Sequence, residues 1–460
     1  MHSTPNDSPS QTPREIPKLS GHWLLGSARD FQREPHRFAA NAANLHNGLV
    51  RFRVLHRPMI AVTHPDFLRQ ILVTHHERYE RSFHYHTSRA IVGLGLITTD
   101  GPDWKLRRRQ IQPAFRPEAI ERVLPAVLVA ADELFARFET ARRSGTTLPV
   151  VSEMQTFTLT VMLRALLSEG IDSGEARAFG DALRQSLLLV RRKNTSACPM
   201  AQWIPTPINR GLTTMRRIFD AFLTPRLKAR LAPNSPPRDD IVQNLLGARD
   251  PETGASLPWQ SLLDETKTLF AAGFETTATA LAWTLHCLSH HPDVAVRWHS
   301  EIDEVLMGRT PKWEDLPRLT YTSQIVQETL RLYPPVYTMG RVCREDDRLG
   351  DYPIRSGETL LLSVFGAHRM PAFWPAPDRF DPQRFATDAS WPRHAFLPFA
   401  LGKHQCIGNT FALSEITLFL ALLGQRYQLR PTQPFDIPAR AQVTLVPAHE
   451  IHLRLEPRSP

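Results

Sequence analysis

Residues 48–65 read as two short apolar runs rich in β-branched side chains, parted by His56, Arg57 and Pro58. That pattern predicts a small antiparallel hairpin. From about residue 101 to residue 289 the apolar positions fall at helical spacing instead, most clearly over residues 119–138 and 257–288, with Pro258 standing where a helix can begin. Proline then becomes dense at Pro371, Pro375, Pro377, Pro382, Pro392 and Pro398, which excludes a regular helix and predicts an irregular coil wrapped around something. Helical spacing returns after Cys406 through Phe411, Ile416, Leu418 and Leu422, and the chain closes on strand-like text at residues 442–445 and 451–455. No repeat or linker divides it. The expected architecture is mainly α with small antiparallel β-sheets at its edge, one unit over residues 19–460. A disordered segment is expected over residues 1–18, where Pro5, Pro9, Pro13 and Pro17 sit among polar neighbours.

A chain of 460 residues with 42% hydrophobic content can bury a large core, which excludes bulk disorder. No uninterrupted apolar run reaches membrane-span length and no signal-peptide core is present, so a soluble, cytoplasmic protein is expected. The net charge of +9 favours an acidic partner. Its short basic knots, Arg107 to Arg109 and Arg191 to Lys193, lack interleaved aromatics, so nucleic acid is not expected. The four cysteines (Cys198, Cys287, Cys343, Cys406) have neither zinc-site nor disulfide spacing, which fits a reducing compartment.

The chemistry concentrates around Cys406. It follows Phe399, Gly402 and His404, precedes Gly408, and stands directly before a helix. A helix N-terminus favours a thiolate, and flanking glycines admit close approach of a backbone or ligand. On this evidence the thiolate is a nucleophile or an iron ligand; a buried inert cysteine is the commoner case for one taken at random. Phe, Gly, Cys and Gly match at these offsets by chance in about one chain in two thousand of this composition. Together these residues resemble the haem-binding loop of the cytochrome P450 superfamily.

The resemblance implies that Cys406 is the axial ligand of haem iron, that Phe399 packs near its sulfur, and that Gly402 and Gly408 shape the loop. His404, standing where most members carry arginine, would bond a haem propionate. Glu328 and Arg331 lie on one face of a helix, where an isolated Glu/Arg pair usually means little. The resemblance extends them, with Arg384 in a Pro-Gln-Arg-Phe segment, to a structural charge triad behind the haem. In the long helix, Gly273 costs about 1 kcal/mol relative to alanine, so it calls for a reason such as a flat ligand. Glu275 and Thr276 then resemble the acid and alcohol that deliver protons during oxygen activation. Trp104 and Arg108, one helical turn apart, and Arg341 resemble further propionate ligands.

The family implies a triangular, single-domain helical fold with haem b between the long helix and the cysteine loop. By analogy, Phe83, Ile91, Leu94, Leu96 and Ala272 line the substrate pocket, together with Val336, Tyr337, Met339 and Leu445. The expected activity is that of a monooxygenase inserting one atom of dioxygen into an apolar small molecule, fatty acid, terpenoid or steroid-like. No dinucleotide fingerprint or iron–sulfur cysteine run is present, so a separate ferredoxin or flavodoxin and an NAD(P)H-dependent reductase are expected. Arg107 and Arg109 are the expected docking face, and Arg81 and Arg89 candidate receivers of a substrate carboxylate. Two other readings stay open, a hydrogen-peroxide-dependent peroxygenase and a non-catalytic haem sensor.

Overall fold

The computed structural model describes residues 14–170, 174–196, 200–250, 252–387 and 391–458. Residues 1–13 and Cys198 lie outside the described residues. Trp259–His290 forms the central helix, about 48 Å long, entered through extended backbone at Pro258. It is buried on nearly every side, taking Asp264, Glu265 and Lys267 into the interior with its apolar residues. It packs most extensively on Val150–Leu167. By length and composition that second helix is apolar enough to span a membrane, although Glu153 and Arg164 interrupt its apolar run. Twelve of its residues are buried within the protein, the packing of a core helix.

Gly174–Asn194 and Pro207–Arg230 lie side by side over the central helix. The buried Lys193 amine ties them by donating to Asn209 Oδ1 at 2.8 Å and Gln202 Oε1 at 2.6 Å. The helix expected over residues 119–138 is two, Pro117–Val123 and Pro125–Arg143, because Pro125 has no N–H to continue the first.

The expected hairpin forms from Leu49–Val54 and Arg57–Val62, but the turn falls on Leu55 and His56, with Leu55 at φ 55°. The hairpin edges a five-stranded sheet completed by Thr359–Ser363, Thr338–Cys343 and Tyr79–Arg81. The junction between Arg57–Val62 and Thr359–Ser363 is parallel, so this sheet is mixed rather than antiparallel. Strands separated by most of the helices are free of the hairpin connection that fixes antiparallel direction. The expected strand at residues 442–445 falls mostly on the turn, residues 442–444, of a hairpin between Ala439–Ala441 and Leu445–Pro447, while His452–Pro457 pairs with Tyr427–Pro431. Residues 14–18 are packed rather than disordered: Ile16 is buried, and Arg51 donates its backbone N–H to Pro17 at 2.8 Å.

The proline-rich coil is pinned from behind. Arg331, fully buried on Thr320–Leu332, donates Nε and Nη2 to the Glu328 carboxylate at 2.7 and 2.8 Å. Its remaining donors reach the carbonyls of His368, Pro377 and Arg379. Glu328 also accepts the Asp381 N–H at 2.8 Å and has Arg384 Nε at 3.4 Å. The coil's own carbonyls thus saturate a guanidinium that would otherwise be buried at great cost. His368 carries the order onward, donating Nδ1–H to Arg331 O and accepting the Leu397 N–H on Nε2 at 2.9 Å. Burial holds its ring neutral, with a pKa near 3. Leu397 leads directly into the cysteine loop.

Candidate active site

Between the central helix and residues 397–408 lies a cavity of about 1160 Å³. The central helix is buried along its middle except at Ala271, Ala272, Gly273 and Thr276, and all four open on this cavity. Opposite them the loop passes through Ala400 at φ 59° and Gly402 at φ 68°. A Cβ on Gly402 would come within 2.1 Å of Leu72 O, so the loop can lie against that segment only with glycine here. The Cys406 N–H donates to Phe399 O at 2.9 Å, closing the loop just before the helix Asn409–Arg426. Cys406 is accessible from the cavity. Burial raises its thiol pKa, while the Gly408 N–H and the Arg108 charge favour the thiolate.

One side of the cavity is cationic. Trp104, Arg108, Arg341 and His404 line it, joined by Arg81, expected as a receiver of a substrate carboxylate. Arg81 Nη2 donates to His404 Nδ1 at 3.1 Å, so the ring's proton sits on Nε2, 3.2 Å from Asp100 Oδ1. Burial lowers the His404 pKa to about 4 despite Asp100, so His404 is a neutral relay rather than a cation here. Arg81 Nη1 is spent on the carbonyls of Leu96 and Thr99, and Arg89 on that of Thr98. Among the described residues the Trp104 indole N–H has no acceptor, and the Arg341 guanidinium bonds only the carbonyl of Gly340.

On the opposite wall Thr276 donates its hydroxyl back to Ala272 O at 2.6 Å. Glu275 is held by Thr444, whose Oγ1 donates to Glu275 Oε2 at 2.5 Å. Burial raises the Glu275 pKa against this bond. Sequence reasoning missed Thr444 because it lies in the turn that was taken for a strand. A Cβ on Gly273 would meet the thioether end of Met162 at 2.8 Å, a close approach of a neighbouring helix beside the cavity.

Of the expected pocket residues, Phe83, Leu96, Ala272, Val336, Tyr337 and Met339 line the cavity. Ile91 instead packs into the helical core and Leu94 is half exposed, its N–H anchored to Asp264. Leu445 turns away into a small cluster with Phe365, and its carbonyl accepts the Trp283 indole. Arg107 and Arg109 are not a free basic face. Arg107 pairs with the buried Glu265 at 3.4 Å, and Arg109 with Asp250 and Glu252 at 3.0 and 2.6 Å.

The family model for cytochrome P450 matches residues 16–454. The chain belongs to the cytochrome P450 family. This P450 is 34% identical over 433 residues to cyclooctat-9-en-7-ol 5-monooxygenase of Streptomyces melanosporofaciens, covering 92% of each chain. It is 31% identical over 440 residues to pentalenene oxygenase of Streptomyces avermitilis, covering 95% of this chain and 96% of that one. Among solved structures, the heme domain of cytochrome P450DA superposes with a TM-score of 0.89 at 26% identity, covering 98% of this chain and 99% of that one. The protein is a P450 monooxygenase, a class that uses haem with thiolate ligation, dioxygen and a supply of electrons.

The residues present fit that cofactor. An accessible cysteine thiol, an indole N–H without an acceptor among the described residues, and clustered guanidiniums on one wall suit an iron and two propionates. A Cβ at Gly408 would meet nothing within 4 Å, so protein contacts alone do not demand glycine there.

Proposed function

We propose that this P450 inserts one oxygen atom of dioxygen into an apolar small molecule, by hydroxylation or epoxidation, with electrons from a separate ferredoxin or flavodoxin and its reductase. The skeleton is terpenoid, fatty-acid or steroid-like, the relatives' names favouring the first, and the enzyme works in the cytoplasm. The observation that carries the reading is the Cys406 thiol opening on the same cavity as Glu275 and Thr276, with an aliphatic and aromatic wall between them.

Cys406 would ligate the iron of haem b, with Phe399 beside the sulfur and the Gly408 N–H stabilising its charge. Trp104, Arg108 and Arg341 would hold the propionates, and His404 would orient Arg81 toward them through the Asp100 link. The bound cofactor supplies oxygen activation, with thiolate donation promoting O–O cleavage. The protein supplies position and protons. Thr276 presents a hydroxyl to the cavity, and Glu275, buried behind it, is the acid that resupplies that hydroxyl. Phe83, Leu96, Val336 and Met339 exclude water from the reacting carbon and orient the substrate by shape.

The test is a purified holoenzyme with reductase, carrier, dioxygen and terpenoid probes. Oxygenated product from dioxygen and its absence with peroxide alone are expected, and Cys406→Ser should abolish the reduced carbon-monoxide signature. Turnover by peroxide alone, or an unchanged signature in that variant, overturns the reading.

A further inference from the structure

The segment between the helices His84–Val92 and Gly101–Ile111 is neither helix nor strand, yet it carries Leu96 and Ile97 onto the cavity wall. Its backbone is held from two sides. Adjacent carboxylates of the central helix take its N–H groups: Asp264 Oδ2 accepts from Leu94 at 2.9 Å and Glu265 Oε2 from Leu96 at 3.1 Å. Two arginines take its carbonyls, Arg81 those of Leu96 and Thr99, and Arg89 that of Thr98. The seating is close. A Cβ on Gly93 would fall 2.3 Å from the Asp264 carboxyl group, and one on Gly95 2.1 Å from Thr268 Oγ1.

The two carboxylates are not equivalent. Asp264 shares the Lys267 amine with Asp220, at 3.1 and 2.9 Å, and also accepts from the Gln260 amide. Glu265 is fully buried and, besides the Leu96 N–H, has only Arg107 Nη1 at 3.4 Å among the described residues. Arg81 is a second cation whose charge it feels, while Asp264 beside it opposes ionisation. Burial raises the Glu265 pKa to about 7 against the Leu96 and Arg107 contacts. Near neutral pH one proton therefore decides whether the Leu96 N–H meets an anion or a neutral acid, and the bond to the anion is the stronger.

Leu96 joins the two sides of the cavity. Its side chain lines the wall, and its carbonyl accepts from Arg81, whose Nη2 donates to His404 Nδ1 at 3.1 Å. We propose that Glu265 is a positioning residue for substrate selectivity: its carboxylate fixes Leu96 as a wall of the pocket and, through the Leu96 carbonyl, steadies Arg81 on the haem side. The proposal rests on the cavity being the substrate pocket and names a determinant of its shape that does not line it.

Pyridine and 4-phenylpyridine, both essentially uncharged at pH 6.5 and at pH 8, bind the iron of the haem-loaded enzyme and are read from the red shift of its absorption band. Only the second reaches past the iron to the wall. At pH 8 Glu265→Gln should weaken 4-phenylpyridine about threefold or more, since a loosened wall is no longer preorganised, and leave pyridine within about twofold. The wild type should lose about half of its 4-phenylpyridine affinity between pH 8 and pH 6.5 as Glu265 takes up its proton, and the Gln variant should lose none. Leu96→Ala should also weaken 4-phenylpyridine, abolish the pH dependence, and absorb the effect of Glu265→Gln in the double variant. An unchanged affinity in Glu265→Gln, equal losses of both pyridines, additive losses in the double variant, or a pH dependence that survives Leu96→Ala overturns the proposal. The last outcome is read on the wild type and Leu96→Ala alone, so it decides the case even if the Gln variant does not fold. The reduced carbon-monoxide signature is recorded on the same samples. If it is intact while these effects are missing, the role of Glu265 alone fails; if it is missing from the wild type, the haem-thiolate reading fails.

Discussion

At the scale of single residues, the bond from Thr444 to Glu275 is the most consequential contact that the motifs did not announce. It is the only hydrogen bond to that buried carboxylate among the described residues, and it works against desolvation. Thr444→Val removes the donor that opposes burial, so the Glu275 pKa should rise further. The alkaline limb of the kcat profile, on which the acid loses its proton, should move to higher pH and return with Thr444→Ser. A limb that stays put would show that Glu275 does not titrate in turnover. Glu415 is the converse case, buried with its Oε1 unpartnered and its pKa pushed well up by burial. A carboxyl kept protonated by the fold contributes most below its unfolded pKa and loses that contribution as pH rises. Glu415→Gln should therefore raise the thermal midpoint more at pH 8 than at pH 4.5, and an equal change at both would contradict a neutral acid. Cys406, Glu275 and Thr276 were legible because their chemistry is carried by residue type and offset. Thr444, Arg81 and Asp100 were not, since their roles come from side chains meeting across 169, 323 and 304 positions of sequence.

At the scale of elements, the coil over residues 368–381 has no ladder of its own and depends on Arg331. Arg331→Ala should leave the buried Glu328 with only the Asp381 N–H and Arg384, and three carbonyls without a partner, costing about 3 to 5 kcal/mol. Denaturant midpoints with and without haem check this, and a loss below about 1 kcal/mol would mean the coil finds its path without the arginine. Periodicity located the central helix to within two residues at each end, since apolar residues recur at helical spacing from Leu269 to Leu288. It ran residues 119–138 together because apolar spacing continues through Pro125, where the missing N–H starts a new helix. The shifted strands at Leu55 and at Gln442 to Thr444 have one cause: alternation marks a hairpin's two arms more strongly than the residue at which it reverses.

At the scale of the whole molecule, the fold brings the like charges of Arg81, Arg108 and Arg341 to one cavity wall. Bound haem stabilises by mass action, about 4 kcal/mol at a thousandfold excess over its dissociation constant. The haem-free chain should melt several degrees lower and recover on adding hemin, and the loss should be larger at low ionic strength, where the arginines repel most. Equal melting temperatures would argue that the cavity is not the haem's. The sheet's parallel junction was out of reach of local pattern, because it joins strands about 300 positions apart.

The route from Arg331 through His368 to Leu397 separates two jobs within one fold. The sulfur's placement is inherited from a guanidinium behind the coil, whereas Phe83, Val336 and Met339 belong to segments outside that chain of bonds. Natural variation can therefore remodel what the enzyme accepts while the metal-binding loop keeps its footing, which gives one scaffold room for many substrates.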